Sequence, residues 1–183
     1  MAWTIVQQEG TEALTLGRLA EKAGITKPVV YGHFSDRNGL LAALYLEFDA
    51  LQNEQIDEAI AQSAETPAAR AKVIADAFVD CVLAQGREIP GVIAALSGSP
   101  ELERVRRECE GACLEKCRKA LAPASPSGGV STAGLRAMLG AAEALSAAAA
   151  ASELSAEDAK RELRAVILDM LARQAASSRI SAE

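Results

Sequence analysis

The chain of 183 residues lacks most of the side chains and motifs on which enzyme chemistry depends. Its single histidine excludes a zinc site with two histidines, and no second one is present for a histidine-based triad. The sequence also has no phosphate-binding loop, no dinucleotide-binding glycine fingerprint and no nucleophile elbow. We therefore expect a protein that is not an enzyme and that carries neither a cofactor nor a metal.

Long apolar runs and a secretory signal are absent as well. Residues 144–152 are uncharged, but they are mostly alanine and too few to cross a bilayer. No charged segment is followed by the apolar stretch of a signal peptide. We expect a cytoplasmic protein without a membrane partner, in which the four cysteines are thiols and not a disulfide framework.

Aromatic residues make up only 3% of the chain and are unevenly placed. Five of the six lie in the first 48 residues, and Phe78 is the one aromatic side chain beyond them. The core of the remaining body must therefore be packed from aliphatic side chains, methionine and cysteine. A pocket in such a body suits an aliphatic or flexible ligand better than a planar one.

The net charge of −6 is also unevenly distributed. In residues 1–46 four bases (Arg18, Lys22, Lys27, Arg37) cancel four acids (Glu9, Glu12, Glu21, Asp36), so the whole negative charge lies beyond residue 46. A neutral first segment on an acidic body indicates a focused contact surface and not a broad basic patch.

The segment from residue 14 to residue 44 has the pattern of two short helices joined by a tight turn. Thr15 precedes apolar residues at helical spacing and is a typical N-cap, and Gly24 follows the last of them and can take a positive φ. Ile25 is expected to fill the corner, and Thr26 to cap a second helix whose early Pro28 needs no hydrogen-bond acceptor. This pattern predicts a helix-turn-helix, in which the second helix enters the major groove of DNA.

The second of these helices leaves polar side chains outside if Val30 and Phe34 face inward. Tyr31 and His33 are suited to donate to phosphates, and Lys27 to reach a base edge or a phosphate. Val29 suits contact with a thymine methyl group, and Gly32 would let the backbone approach the groove closely. Thr26 and Arg37 flank the helix and suit contacts with the DNA backbone.

The run AGITKPVVYGHFSDRNGLL resembles the DNA-binding signature of the TetR (tetracycline-repressor) family of transcriptional regulators. The resemblance covers residues 2 to 46 and places Lys27, Pro28, Val29, Tyr31, Gly32, His33 and Arg37 at the positions that usually contact DNA. Leu16 and Gly17 lack polar groups that some members use there, so Arg18 is expected to serve instead. The residues predicted to contact DNA are Thr15, Arg18, Thr26, Lys27, Pro28, Val29, Tyr31, Gly32, His33 and Arg37.

The remainder of the chain also has helical periodicity, with caps and prolines that mark the boundaries. The predicted helices cover residues 2–9, 36–61, 67–86, 88–97, 100–121, 132–151 and 156–175, and residues 176–183 are expected to fray. Residues 122–131 (APASPSGGVS) indicate a mobile loop. The sequence thus predicts an all-α fold of about nine helices, with a DNA-binding domain over 1–46 and an effector-binding and dimerisation domain over 47–183.

The last two predicted helices carry apolar stripes that we expect one chain to be too small to cover. Met138, Leu139, Ala142 and Leu145 form one stripe, and Leu163, Val166, Ile167, Met170 and Leu171 form the other. The resemblance implies a homodimer through these helices. We expect each dimer to bind a palindromic operator in the major groove, with recognition helices about 34–36 Å apart.

The function that follows is a sequence-specific repressor released from its operator by a small-molecule effector. The effector would shift the population towards a state with another spacing of the recognition helices. The predicted pocket walls are Phe78, Cys81, Val82, Ile93, Leu96, Val105, Cys109, Met138 and Leu139.

Two alternatives stay open. Cys109, Cys113 and Cys117 lie four residues apart along one helix, and with Cys81 they could sense an oxidant or bind a soft metal ion; otherwise they are small core residues. The other alternative is a helical dimer that binds a ligand or a protein and not DNA. It is favoured by the neutral first segment and by Met1, which falls where family members have an interior helix position.

Overall fold

The structure, a computed structural model, describes residues 1–85, 89–125 and 129–180, and in these ranges the chain contains helices and no strands. The helices are α1 (Ala2–Glu9), α2 (Leu16–Ala23), α3 (Lys27–His33), α4 (Arg37–Gln62), α5 (Pro67–Gln85), α6 (Ile89–Leu96), α7 (Pro100–Leu121), α8 (Thr132–Ala150) and α9 (Ala156–Ile180), with a 3-10 turn over Thr11–Ala13. The predicted all-α fold is confirmed.

Side-chain caps set the starts of α4, α5, α7 and α9, whereas the predicted side-chain cap of α3 by Thr26 does not form. Asp36 caps α4 by accepting the N–H of Gly39 at 2.9 Å. Thr66 and Ser99 cap α5 and α7, each directly before a proline that opens the helix. Ser155 caps α9 through the N–H of Asp158 at 3.0 Å. These bonds satisfy donors that the first helical turn leaves unpaired.

The predicted end of α9 differs from the structure, and some other predictions fall on residues that cannot be compared. Helix α9 continues to Ile180, so the prediction that the chain frays from residue 176 is wrong for residues 176–180. The predicted end of α5 at Gly86, residues 126–128 of the predicted loop and residues 181–183 lie outside the described residues.

The chain divides into two compact units. The first unit comprises Met1–Ala50 and Gln85–Cys109, and the second comprises Leu51–Ala84 and Glu110–Glu183. Residues 85–109 thus group with the N-terminal segment, a feature that the sequence does not indicate. The predicted functional boundary at residue 46 stays a prediction.

The first unit is built around buried aliphatic and aromatic side chains. Ile5, Val6, Leu14, Leu41 and Phe48 are each at most 3% exposed. On α4 the helical spacing of Leu40, Leu41, Leu44, Phe48 and Leu51 predicts one buried stripe, but Leu51 is 39% exposed, so the prediction is wrong for Leu51. The next buried position on α4 is Ile56, and five residues of helix rotate a side chain by about 140° from Leu51.

The second unit has its own apolar core, which is almost entirely aliphatic. Helices α8 and α9 pack closely in it, since a Cβ on Gly134 would lie 2.9 Å from the side chain of Met170. Asp76 on α5 accepts hydrogen bonds from Lys72 and from Arg164 on α9. Burial alone would raise the pKa of Asp76, but these two cations outweigh it and hold the pKa below its usual value.

Within the described part of the chain, every helix is too short or too polar to cross a bilayer.

Candidate nucleic-acid interface

The turn between α2 and α3 forms for the reasons that the sequence suggests. Thr15 caps α2 by accepting the N–H of Arg18 at 3.1 Å. Gly24 ends α2 in the left-handed region, with φ of 66°, a conformation that costs glycine little. The N–H of Ile25 then bonds the carbonyl of Ala20 at 3.1 Å. The C-terminal cap of α2 therefore fixes the direction in which α3 begins.

Ile25 does not fill the corner as predicted. Its side chain is 46% exposed, whereas Leu16 and Ala20 of α2 and Val30 of α3 are buried. The corner is closed by backbone hydrogen bonds, from Gly24 N–H to the carbonyl of Glu21 and from Ile25 N–H to the carbonyl of Ala20. Ile25 instead adds apolar surface beside α3.

Helix α3 turns one side chain inward and the others outward. Val30 is 2% exposed, whereas Val29 and Tyr31 are 47% and 54% exposed. Lys27, Pro28, Gly32 and His33 are exposed as well. We call the exposed residues Thr26–Val29 and Tyr31–His33 the recognition face.

Polar groups of the recognition face are left without partners inside the chain. Thr26 is the N-cap residue of α3, but its hydroxyl caps nothing, because Pro28 has no N–H and the N–H of Val29 bonds the Thr26 carbonyl. Among the described residues, Lys27 and Tyr31 have no hydrogen-bond or ion-pair partner. These groups are therefore available to a ligand outside the chain.

The other predicted contact residues differ in this respect. Arg18 donates to both carboxylate oxygens of Glu9 at 2.8 Å and to Glu21 at 2.7 Å. The hydrogen bond from Arg18 lowers the pKa of Glu9. Arg37 donates to the backbone carbonyls of Leu14 and Thr11. Lys22 donates to the side chain of Gln8. Lys27 is therefore the one base in residues 1–46 that has no partner among the described residues.

The N-terminal segment matches the model of a known protein family. Residues 2–44 match the family model described as bacterial regulatory proteins, tetR family. These residues are therefore similar in sequence to the N-terminal segment of that family. The motif resemblance in the sequence is confirmed over the segment that carries the recognition face.

Several solved structures that are similar to most of the chain are of proteins described as regulators. A TetR-like transcriptional regulator from Rhodococcus sp. RHA1 is 19% identical with a TM-score of 0.71, covering 93% of this chain and 91% of that chain. The fatty acid degradation regulator FadR from Bacillus halodurans is 13% identical with a TM-score of 0.74, covering 91% and 90%. FadR from Bacillus subtilis, in complex with stearoyl-CoA, is 15% identical with a TM-score of 0.75, covering 91% and 94%. At these identities the likeness establishes the fold. No curated protein sequence matches the chain significantly.

The residues predicted to line an effector pocket are divided between the two compact units. Ile93, Leu96, Val105 and Cys109 belong to the first unit, and Phe78, Cys81, Val82, Met138 and Leu139 to the second. The predicted pocket therefore stays a prediction.

Sequence reasoning did not identify a groove of about 550 Å³ in the second unit, whose lining includes Ile60, Arg70, Ala112 and Lys116. Arg70 is only 7% exposed, but it is not part of an apolar pattern that would have predicted its burial. Its one sequence signal is its position shortly after the helix start at Thr66-Pro67.

The cysteines are buried, and two of them ionise poorly. All four are free, and none is more than 7% exposed. Burial and the nearby carboxylate of Asp49 raise the pKa of the Cys109 thiol to about 12. A hydrogen bond with Cys113, together with burial, raises the pKa of Cys117. Since the thiolate is the reactive form, this environment does not favour thiol sensing.

Metal binding has no geometric support either. Across residues 1–85, 89–125 and 129–180, no group of three or more His, Cys, Asp or Glu residues is placed to hold a metal ion.

The apolar stripes of α8 and α9 are covered by the chain itself. Met138, Ala142, Leu163 and Ile167 are each at most 1% exposed and belong to the core of the second unit. The argument that they need a second chain as cover is therefore wrong. The exposed positions of the two helices instead include small residues, Ala133, Ala137, Gly140 and Ala144 on α8 and Ala165 and Ala172 on α9, and the larger Leu168 on α9. We call these residues the small-residue face.

Proposed function

We propose that this protein is a transcriptional regulator that binds operator DNA through the recognition face. The observation that carries the proposal is the exposed set of Thr26, Lys27, Tyr31 and His33 on a TetR-type α3, in which Lys27 and Tyr31 have no partner among the described residues. A helix used only for packing would have no need of such groups. The neutral charge of residues 1–46 is consistent with a small and specific contact area.

Each residue of the recognition face has a role that its chemistry supports. Tyr31 and His33 donate to phosphates and so set the position of α3 on the duplex. Lys27 contacts a base edge or a phosphate, and Val29 packs against a thymine methyl group. Gly32 is explained by DNA and not by the chain, because a Cβ there would meet no atom within 4 Å.

Selection from a random duplex pool tests this function. We expect the protein to enrich a palindrome whose half-sites are centred about one helical turn apart. Binding of the enriched duplex should weaken steeply with salt, as phosphate contacts require. If no sequence is enriched above a non-specific background, the proposal is wrong, and the alternative of a helical module without DNA binding gains support.

The palindrome requires a two-fold partner, and we place the dimer contact at the small-residue face. Alanine and glycine residues let helices approach closely, and Leu168 is an apolar side chain that is 37% exposed. A two-fold contact would bring the same surface of two chains together. A stable interface of this kind buries at least ~1,200 Å² in total.

The dimer contact is tested by light scattering on two matched substitutions. Ala144→Glu adds a carboxylate to the small-residue face, and Ala68→Glu adds one to an exposed position on α5. We expect Ala144→Glu to give monomers with an unchanged unfolding midpoint and Ala68→Glu to remain dimeric. A monomeric wild type at micromolar concentration would contradict the proposed dimer.

For the effector we propose a small molecule with a flexible aliphatic part. The support is the composition of the body, whose single aromatic residue is Phe78. The stearoyl-CoA bound to FadR from Bacillus subtilis has such a chain, although that protein is similar only in fold. Native mass spectrometry of gently purified protein should detect a bound aliphatic molecule. Release of the selected DNA by planar compounds and not by aliphatic ones would contradict this.

A further inference from the structure

Arg37, the first residue of α4, makes contacts that differ from those expected of a DNA-binding residue. Its Nε donates to the carbonyl of Leu14 at 3.1 Å, and its Nη2 donates to the carbonyl of Thr11 at 3.0 Å. Nη2 also lies 3.3 Å from a carboxylate oxygen of Glu12. The side chain is 35% exposed. Two arms of the guanidinium are thus directed at the backbone of one segment of the chain.

That segment leads directly into the helix-turn-helix. Leu14 is fully buried and follows the 3-10 turn, and Thr15 after it caps α2. The carbonyls that Arg37 binds are three residues apart, so a planar donor with two arms matches them and a lysine ammonium does not. Arg37 therefore ties the start of α4, which follows α3, to the start of α2.

Helix stability does not explain why an arginine occupies the first position of α4. A cation in the first turn of a helix is disfavoured by the helix dipole. A phosphate that approached this guanidinium would also meet the carboxylate of Glu12. Both observations are explained if the charge is held by the carbonyls of residues 11 and 14.

We infer that Arg37 is a positioning residue, which fixes α2 and α3 relative to α4, and is not a phosphate contact. This inference rests on the proposed function and changes one predicted contact within it. Lys27, which has no partner among the described residues, remains the base that DNA would engage.

Three variants separate the two roles of Arg37: Arg37→Lys, Arg37→Gln and the control Lys27→Gln. Affinity for the duplex selected by the wild type is measured against salt, at a temperature where all variants are folded. We expect both Arg37 variants to lose about tenfold in affinity, the equivalent of one charge-assisted hydrogen bond. The slope of their affinity against salt should equal that of the wild type. Lys27→Gln should instead reduce the salt slope by about 1.8, because one phosphate contact is lost from each subunit of the dimer.

Amide hydrogen exchange over residues 11–23 gives a readout that needs no DNA. We expect faster exchange in both Arg37 variants and unchanged exchange in Lys27→Gln. Wild-type affinity in Arg37→Lys combined with a reduced salt slope in Arg37→Gln would identify a phosphate contact and overturn the inference. Unchanged exchange in both Arg37 variants would overturn it as well, even if the wild type selected no DNA and the proposed function failed.

Discussion

Gly32 offers a substitution that should change stability and DNA binding in opposite directions. In the free protein a Cβ at this position meets no atom within 4 Å, and the residue is exposed. Glycine in a helix is less favourable than alanine by about 0.8–1.0 kcal/mol, and less near a helix end. Because Gly32 is the sixth of seven residues in α3, we expect Gly32→Ala to stabilise the protein by about 0.5 kcal/mol. For a chain of this size, that raises the unfolding midpoint by about 1–2 °C.

On DNA the same methyl group should be unfavourable. If the α3 backbone lies against the groove at Gly32, an added methyl group overfills a close contact, at a cost of about 1–3 kcal/mol. This corresponds to a loss of about 5- to 150-fold in affinity for the selected duplex. Thermal unfolding by circular dichroism and fluorescence anisotropy with labelled duplex measure the two effects on the same samples.

Gly111→Ala is the matched control for Gly32→Ala. Gly111 is an exposed glycine in α7, and a Cβ there also meets nothing within 4 Å. This variant should gain stability as well and should bind DNA as the wild type does. Our reasoning is refuted if Gly32→Ala is stabilised and retains full affinity, because the glycine then makes no close approach to DNA.

Three further predictions concern stability and reactivity. Because the folded-state pKa of Asp76 lies below its usual value of 3.8, its ion pairs add stability above that pH and lose it as the pH falls further. Asp76→Asn should therefore lower stability by about 1–2 kcal/mol at pH 7, and urea titrations should show this difference shrinking near pH 2. Thr15→Ala removes the α2 cap and should lower stability by about 1 kcal/mol, measured in the same way; an unchanged midpoint would contradict the capping role. The thiols of Cys109 and Cys117 should react with a disulfide reagent only slowly until the protein is unfolded, and rapid labelling of the native protein would show that they are accessible.

The helix starts were predictable because they depend on neighbouring residues. A cap such as Thr66 or Ser99 followed by proline, or Ser155 with Asp158, uses bonds within one turn of helix. Gly24 ended α2 as expected for the same reason, since the left-handed conformation is a local property of glycine. The exposed face of α3 followed from the inward position of Val30.

The sequence predictions that were wrong concern how side chains pack against other segments of the molecule. The apolar stripes of α8 and α9 show which sides are covered, but not whether the cover is the same chain or a second one. Ile25 and Leu51 are apolar at plausible positions, yet no partner side chain reaches the place where burial was expected. Hydrophobic periodicity identifies a face that tends to be buried and leaves its partner unspecified.

The partners of Arg18 and Arg37 show the same limit for charged residues. Glu21 lies three residues after Arg18 and could have indicated a pair on one helix face. Glu9 and the carbonyl of Thr11 approach only because other helices place them there. A base in a DNA-binding segment is thus a candidate contact until its intramolecular partners are known.

The central claim is that the recognition face of α3 binds specific DNA, and Tyr31 tests it most directly. The side chain is 54% exposed and has no partner among the described residues, so Tyr31→Ala should change stability by no more than about 0.5 kcal/mol. The measurement is the affinity of wild type and Tyr31→Ala for the selected duplex, taken together with both unfolding midpoints. Our account predicts a large loss of affinity with nearly equal midpoints. A midpoint lowered by many degrees with intact affinity would contradict it.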